Sequence, residues 1–235
     1  MPHPNDLPQD DLDRAVARAE RPDLLLQLVG LSRNAFGVHT RHYPHTINYP
    51  WAASRLEMLP VGSRLLEIGA GVNPLPLFLA ERGMLVDCVD SSDFTRKLPA
   101  GDDWNEWGFF DYSSLNSRIA SFNMSVETFR PLLPYDAIYC ISVLALMPTP
   151  VREATLRLCQ AWLKPGAKLV LAIDLIPGTD TLWNLGGSEE SPEEHGTWRD
   201  VEHQLQDYGF QILESRIERG VYRSPVDLHF LIVRR

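Results

Sequence analysis

The chain has 235 residues, 44% of them hydrophobic and 23% charged, close to globular averages and sufficient for one large α/β unit with its own core. That balance excludes a collagen-like, wholly disordered or disulfide-scaffold protein. Lys and Arg number 22 against 31 Asp and Glu, a net charge of −9, which repels nucleic-acid backbones and anionic membranes and leaves neither expected as a partner.

The three cysteines, Cys88, Cys140 and Cys159, lie in apolar segments with neither a disulfide spacing nor a C-x-x-C pattern, so a reducing cytoplasm is the expected compartment. Residues 1–13 are polar and acidic where a signal peptide is basic and then apolar. No run approaches the ~18 apolar residues of a membrane span.

In chain order, residues 1–7 read as a tail rich in Pro. A helix is predicted over residues 10–30, with Leu12, Ala15, Val16 and Ala19, then Leu24, Leu25, Leu28 and Val29 at helical spacing, broken at Pro22. Residues 31–51 show no period but are dense in Arg33, His39, Arg41, His42, Tyr43, His45, Tyr49 and Trp51. They either pack as a lid or form an unpatterned connection. From Gly62 the pattern becomes short apolar runs alternating with helices, the signature of a parallel sheet covered on both faces. Strands are predicted at residues 64–68, 85–90, 107–110, 137–141 and 168–175. A helix after Pro74 stops at Gly83. Another begins at Thr149 as cap with Pro150 following and ends before Pro165 and Gly166. Thr197 caps a helix over residues 198–208, and residues 211–217 and 227–233 form a closing hairpin.

The sharpest signal is Leu65-Leu66-Glu67-Ile68-Gly69-Ala70-Gly71-Val72-Asn73-Pro74, an apolar strand running into a glycine turn and a helix. Gly69 and Gly71 permit a tight turn and close approach of a ligand at the strand's carboxyl end. Asp90 ends the second strand 19 positions after Gly71, where an acid accepts from both ribose hydroxyls. The alternative is a plain strand-to-helix turn. Asn73 and Pro74 stand where a dinucleotide pyrophosphate needs an open helix terminus, and Glu67 adds a carboxylate beside it. A phosphate-free nucleoside with a cationic group fits better, and S-adenosylmethionine is such a ligand.

From residue 60 onward the chain resembles the class I S-adenosylmethionine-dependent methyltransferases. Glu67-Ile68-Gly69-Ala70-Gly71 resembles their first motif, Tyr135-Asp136-Ala137-Ile138-Tyr139-Cys140-Ile141-Ser142 the fourth-strand motif, and Leu163-Lys164-Pro165-Gly166 the lead into the fifth strand. The resemblance implies a Rossmann-like α/β sheet of order 3-2-1-4-5-7-6 with strand 7 antiparallel, helices on both faces and an amino-terminal helical lid. It divides the chain into a tail, helix and lid over residues 1–51 and a cofactor-binding methyltransferase domain over residues 52–235, a single structural unit. It implies a cofactor site of Glu67, Gly69, Ala70, Gly71, Asn73 and Pro74 at the methionine portion, and of Asp90 with Ser91 at the ribose. Asp111 and Tyr112 would lie at the adenine, carbonyls around Cys140 and Ile141 at the α-amino group, and Tyr43 in the lid. His42, His45 and Trp51 share that segment and either close over the cofactor or pack as core.

Where many members carry Glu-His after the fourth strand, this chain has Ala145-Leu146. A base, if the acceptor needs one, must come from elsewhere. Asp174, ending the fifth strand, and His195, in the insertion over residues 177–197, are the candidates; each has a bland alternative as a loop carboxylate or a solvated histidine. The insertion's Asp180, Glu189, Glu190, Glu193 and Glu194, with Trp183 and Asn184, form either a substrate lid or a solvated acidic face. No metal is expected, because no Cys or acid stands at ligand spacing around His42 and His45. The expected function is methyl transfer from S-adenosylmethionine to an oxygen or nitrogen of a small molecule, a secondary metabolite or sugar, by a monomer or homodimer. The alternative is a cofactor-binding module that has lost acceptor chemistry.

Overall fold

The computed structural model describes residues 4–92, 107–184 and 190–235. In chain order the elements are α1 (Gln9–Arg18), α2 (Pro22–Phe36), α3 (His45–Leu56), β1 (Arg64–Ile68), α4 (Leu75–Glu81), β2 (Leu85–Asp90), β3 (Ile119–Asn123), β4 (Tyr135–Ile141), α5 (Thr149–Trp162), β5 (Leu163–Leu175), α6 (Pro192–His195), α7 (Trp198–Asp207), β6 (Gln211–Glu218) and β7 (Asp227–Arg234). The strands form a seven-stranded sheet in the order β3-β2-β1-β4-β5-β7-β6; β1 pairs parallel with β2 and β2 with β3, β4 pairs parallel with β5, and β7 runs antiparallel to both β5 and β6. The backbone divides into two compact units, Met1–Ser125 and Val126–Arg235.

In the first unit, the predicted amino-terminal helix is two, separated before Pro22, which takes the first position of α2 where its missing N–H costs nothing. α2 runs past residue 30 to Phe36 and ends at Gly37, whose φ of 84° lets its N–H return to the Arg33 carbonyl. The unpatterned stretch that follows contains α3. Its residues His45, Thr46, Asn48, Tyr49, Pro50, Trp51, Ala52 and Ala53 are all buried, so the helix has no broad polar face and its sequence shows no amphipathic period. β1 and β2 pair in register from Arg64 with Leu85 to Ile68 with Val89. The third strand lies at Ile119–Asn123, not at residues 107–110. The apolar density at Phe110 is satisfied by ring packing instead, edge-on to Phe36 at 5.4 Å and to Tyr112 at 4.9 Å between centroids.

In the second unit, β4 pairs with β5 and β5 with β7, whose residues from Asp227 to Val233 are all buried. β5 begins at Leu163, five residues earlier than the pattern predicts. β6 alternates between exposed and half-buried positions along most of its length, as an edge strand with one covered face does. Thr149 does not cap α5 with its side chain. Thr197 does cap α7: its hydroxyl accepts from the Asp200 N–H while the Asp200 carboxylate accepts from the Thr197 N–H, a reciprocal capping box.

Candidate active site

Each unit carries part of the expected site at the carboxyl ends of its strands. In the first, the turn after β1 depends on its glycines: Gly69 has φ of 71° and Gly71 of 48°, the left-handed region that side chains disfavour. Gly69 N–H donates to the Val89 carbonyl at 2.8 Å, and Gly71 N–H donates to Asp90 Oδ2 at 2.8 Å. Asp90 Oδ1 accepts from the Ser92 N–H at 2.8 Å. Among the described residues these two N–H groups use two of the roughly four acceptor directions of an ionised carboxylate. The remaining two suit a vicinal diol, so the residues present fit a ribose.

Behind the turn, Glu67 is buried and its Oε1 accepts from Asn73 Nδ2 at 2.9 Å. The same amide donates to the Ala70 carbonyl, while Asn73 Oδ1 accepts from the Leu75 N–H at the start of α4. One asparagine thus ties strand, turn and helix together. Pro74 follows at the helix's N-cap position. Tyr112, expected at the adenine, is tied to the glycine turn. Its side chain is fully buried, its hydroxyl accepts from the Asn73 N–H at 2.8 Å, and it lies within donating distance of the Gly71 carbonyl at 3.0 Å and the Asn73 carbonyl at 3.1 Å. Burial pushes this phenol's pKa well up, which keeps the O–H a donor. Asp111 is exposed and caps the short turn Tyr112–Ser114 by accepting from the Ser113 N–H. Ser91 is exposed beside Asp90, and Tyr43 is buried, its carbonyl accepting from Thr46. His45 stacks on Tyr49 at 4.3 Å between ring centroids and stands edge-on to His42 at 4.7 Å. Burial pushes His42 down to about 4 and holds His45 well below the ordinary histidine range, so both rings are neutral at physiological pH.

In the second unit, Cys140 and Ile141 end β4, buried. The next residue, Ser142, closes the fourth-strand motif with no role read from the sequence, yet its φ is 58°, a conformation costing a non-glycine residue on the order of 1–2 kcal/mol. Its N–H donates to the Ala172 carbonyl at 2.8 Å and its hydroxyl to Asp174 Oδ1 at 2.8 Å. Asp174 is buried at the end of β5, and desolvation pushes its carboxyl up to about 7, with the Ser142 hydrogen bond partly opposing the rise. A carboxyl with that pKa exchanges protons near neutrality.

His195 is neither a solvated loop residue nor an open base. It is 1% exposed, with Nδ1 2.9 Å from Glu190 Oε2 and Nε2 2.7 Å from the Ala145 carbonyl oxygen. The described carboxylates of the insertion are likewise engaged within the protein. Asp180 pairs with Arg199 and Arg219, Glu190 accepts from Thr149 as well as bonding His195, and Glu194 closes a capping box with Ser191. They are therefore not set out to attract a cationic acceptor. Glu189 lies outside the described residues. Among the described residues no group of three or more His, Cys, Asp or Glu side chains could hold a metal ion, and the three cysteines are free and buried. No helix among them is long and apolar enough to cross a membrane.

Comparison with known proteins agrees with this geometry. A ubiquinone biosynthesis O-methyltransferase from Xanthomonas axonopodis pv. citri is 28% identical over 132 residues, 56% of this chain, and the match spans only 50% of that relative's length. Among solved structures, magnesium protoporphyrin IX methyltransferase from Synechocystis PCC 6803 with bound S-adenosylmethionine superposes with a TM-score of 0.51 at 19% identity, covering 79% of this chain and 74% of that one. The 1,6-didemethyltoxoflavin-N1-methyltransferase of Burkholderia thailandensis gives 0.57 at 16% identity, covering 100% and 94%. These structures share the fold. The family model described as methyltransferase domain matches residues 43–215, and with nearly three quarters of its length so matched the chain belongs to the methyltransferase domain family.

Proposed function

We propose that the protein transfers a methyl group from S-adenosylmethionine to an oxygen or nitrogen of a small molecule. The observation that carries this reading is the Asp90 carboxylate holding the Gly71 N–H at 2.8 Å: it sets a ribose-accepting acid against a turn whose two glycines leave room for a ligand's backbone approach. When bound, the cofactor supplies a methyl group on a sulfonium. In that reaction the acceptor's lone pair would form the new bond to the methyl carbon as the carbon–sulfur bond broke onto sulfur, and a neutral thioether would leave. The protein's task is then alignment, exclusion of water and removal of the acceptor's proton.

Asp174 is the residue proposed to take that proton. Its buried carboxyl, pushed up to about 7, matches the requirement for a base working near neutrality, and the Ser142 hydroxyl holds its other oxygen in place. The field of a chain with net charge −9 favours a small acceptor over a nucleic acid. Parallel calorimetric titration with S-adenosylmethionine, S-adenosylhomocysteine and NAD tests the assignment. Binding of both adenosyl ligands with NAD silent is expected, and NAD binding with the adenosyl ligands silent would overturn it.

A further inference from the structure

The segment following β5 returns to the turn that follows β4, and it does so through His195. The imidazole is enclosed, and both of its nitrogens face acceptors: Nδ1 the Glu190 carboxylate at 2.9 Å, Nε2 the Ala145 carbonyl at 2.7 Å. Ala145 is the middle residue of the short helical turn Leu144–Leu146. That turn begins two residues after Ser142, whose left-handed backbone and hydroxyl bond to Asp174 set the proposed base.

A serine with φ of 58° persists only where its flanks over-determine it. On the amino side β4 is paired with β5, and the Ser142 N–H itself donates to Ala172. On the carboxyl side the restraints converge on His195. Nε2 holds the Ala145 carbonyl. Arg152, 1% exposed, reaches the Met147 carbonyl at 3.4 Å and donates to the His195 carbonyl at 2.7 Å. Glu190 grips the other edge of the ring and accepts from the Thr149 N–H at 3.0 and 3.1 Å, the free donor at the start of α5. Both ends of the stretch over residues 145–149 are therefore fastened to one imidazole–carboxylate pair.

We propose that His195 is a positioning residue for proton transfer at Asp174: through the Ala145 carbonyl it fixes the turn that presses Ser142 onto the base. This rests on the reading of Asp174 as the proton acceptor. Loosening the turn lets Ser142 relax out of the left-handed region, which removes a bond that holds the carboxyl's pKa down, and admits water to the carboxyl, which lowers it; desolvation is the larger of the two influences, so rehydration decides the sign.

The two edges of the ring can be separated. His195→Gln keeps an N–H near the Nε2 position for Ala145 and loses the Glu190 contact; His195→Asn keeps an N–H near the Nδ1 position for Glu190 and loses Ala145. The readout is the titration of the Asp174 carboxyl, followed by carbon NMR in the full chain and assigned by its absence in Asp174→Asn. The expected result is a midpoint lowered by about one unit or more in His195→Asn and near the wild-type value in His195→Gln. Equal behaviour of the two variants, whether both shifted or both unshifted, overturns the proposal. If neither variant folds, the wild type still decides: a His195 Nε2–H signal that survives saturation transfer from water supports it, and one in rapid exchange overturns it. Titration of the same wild-type sample with S-adenosylhomocysteine tests the methyltransferase reading separately, since that ligand's binding does not depend on which variant moves Asp174.

Discussion

The Tyr112 hydroxyl accepts the Asn73 N–H at 2.8 Å and stands 3.0 Å from the Gly71 carbonyl, 41 positions earlier in the chain. A fully buried phenol thus closes the glycine turn from beneath. Tyr112→Phe leaves a buried N–H without its partner, a loss of about 1–3 kcal/mol in stability. Urea unfolding should show that loss. Because the turn is the proposed cofactor surface, S-adenosylhomocysteine affinity should fall as well; unchanged affinity would mean that the turn keeps its shape without the phenol.

Asp90 secures the same turn from the other side through the Gly71 and Ser92 N–H groups. Asp90→Ala removes these charge-assisted bonds together with the proposed ribose acceptor, and S-adenosylhomocysteine binding is expected to weaken by about 1–3 kcal/mol in calorimetry. A variant that binds as the wild type does would show that the nucleoside lies elsewhere.

Most of the sheet was legible because parallel strands are apolar runs bounded by turn residues: β1 and β2 match their predicted limits residue for residue. The departures have opposite physical causes: a helix buried on most sides has no polar face to mark its period, and a short strand with little buried surface has no apolar run to read. α3 is enclosed by its neighbours on most sides, and β3 is a short edge strand with only Ile119 fully buried. Of the proposed site, the turn that brings Glu67, Gly69, Gly71 and Asp90 together was legible from spacing along one strand, turn and strand. Tyr112 reads as a ligand contact in sequence because nothing local reveals that its hydroxyl meets Asn73 39 positions away. Ser142 carried no residue-type signal, since a left-handed serine is imposed by its surroundings. A Glu and a His do meet the stretch after β4, but they are Glu190 and His195: His195 bonds the Ala145 carbonyl from 50 positions later in the chain, and Glu190 bonds His195 and the Thr149 N–H.

Asp174 makes stability depend on pH. Its carboxyl is pushed from 3.8 to about 7, chiefly by burial, so between these values the folded chain keeps a proton that the unfolded chain has lost. The contribution is fully present below about pH 4 and is lost as pH rises through about 7, on the order of 4 kcal/mol in all. Asp174→Asn stays neutral throughout. The stability of the wild type relative to this variant should therefore fall from pH 4 to pH 7 and level off above. Parallel unfolding curves of constant separation would remove the perturbed carboxyl from the structure, and with it the proposed base.

Asn73 offers the sharpest test of the cofactor loop, because its amide nitrogen lies 2.9 Å from Glu67 Oε1 and 2.5 Å from the Ala70 carbonyl. Both partners are acceptors. Asn73→Asp keeps the shape and the acceptor for the Leu75 N–H, but it replaces the donor with an oxygen facing two others in a buried site. Either the new carboxyl or Glu67 must then hold a proton, as when two carboxylates share one site. The expected outcome is a loss of roughly 3–5 kcal/mol at pH 8, the range for an uncompensated buried charge, recovered in part as the pH is lowered toward 5 and the shared proton binds. Asn73→Ser, which introduces no charge, should lose less and show no such recovery. Equal losses at both pH values in Asn73→Asp would mean that Glu67 does not face the amide, and the tie between β1 and α4 would have to be redrawn.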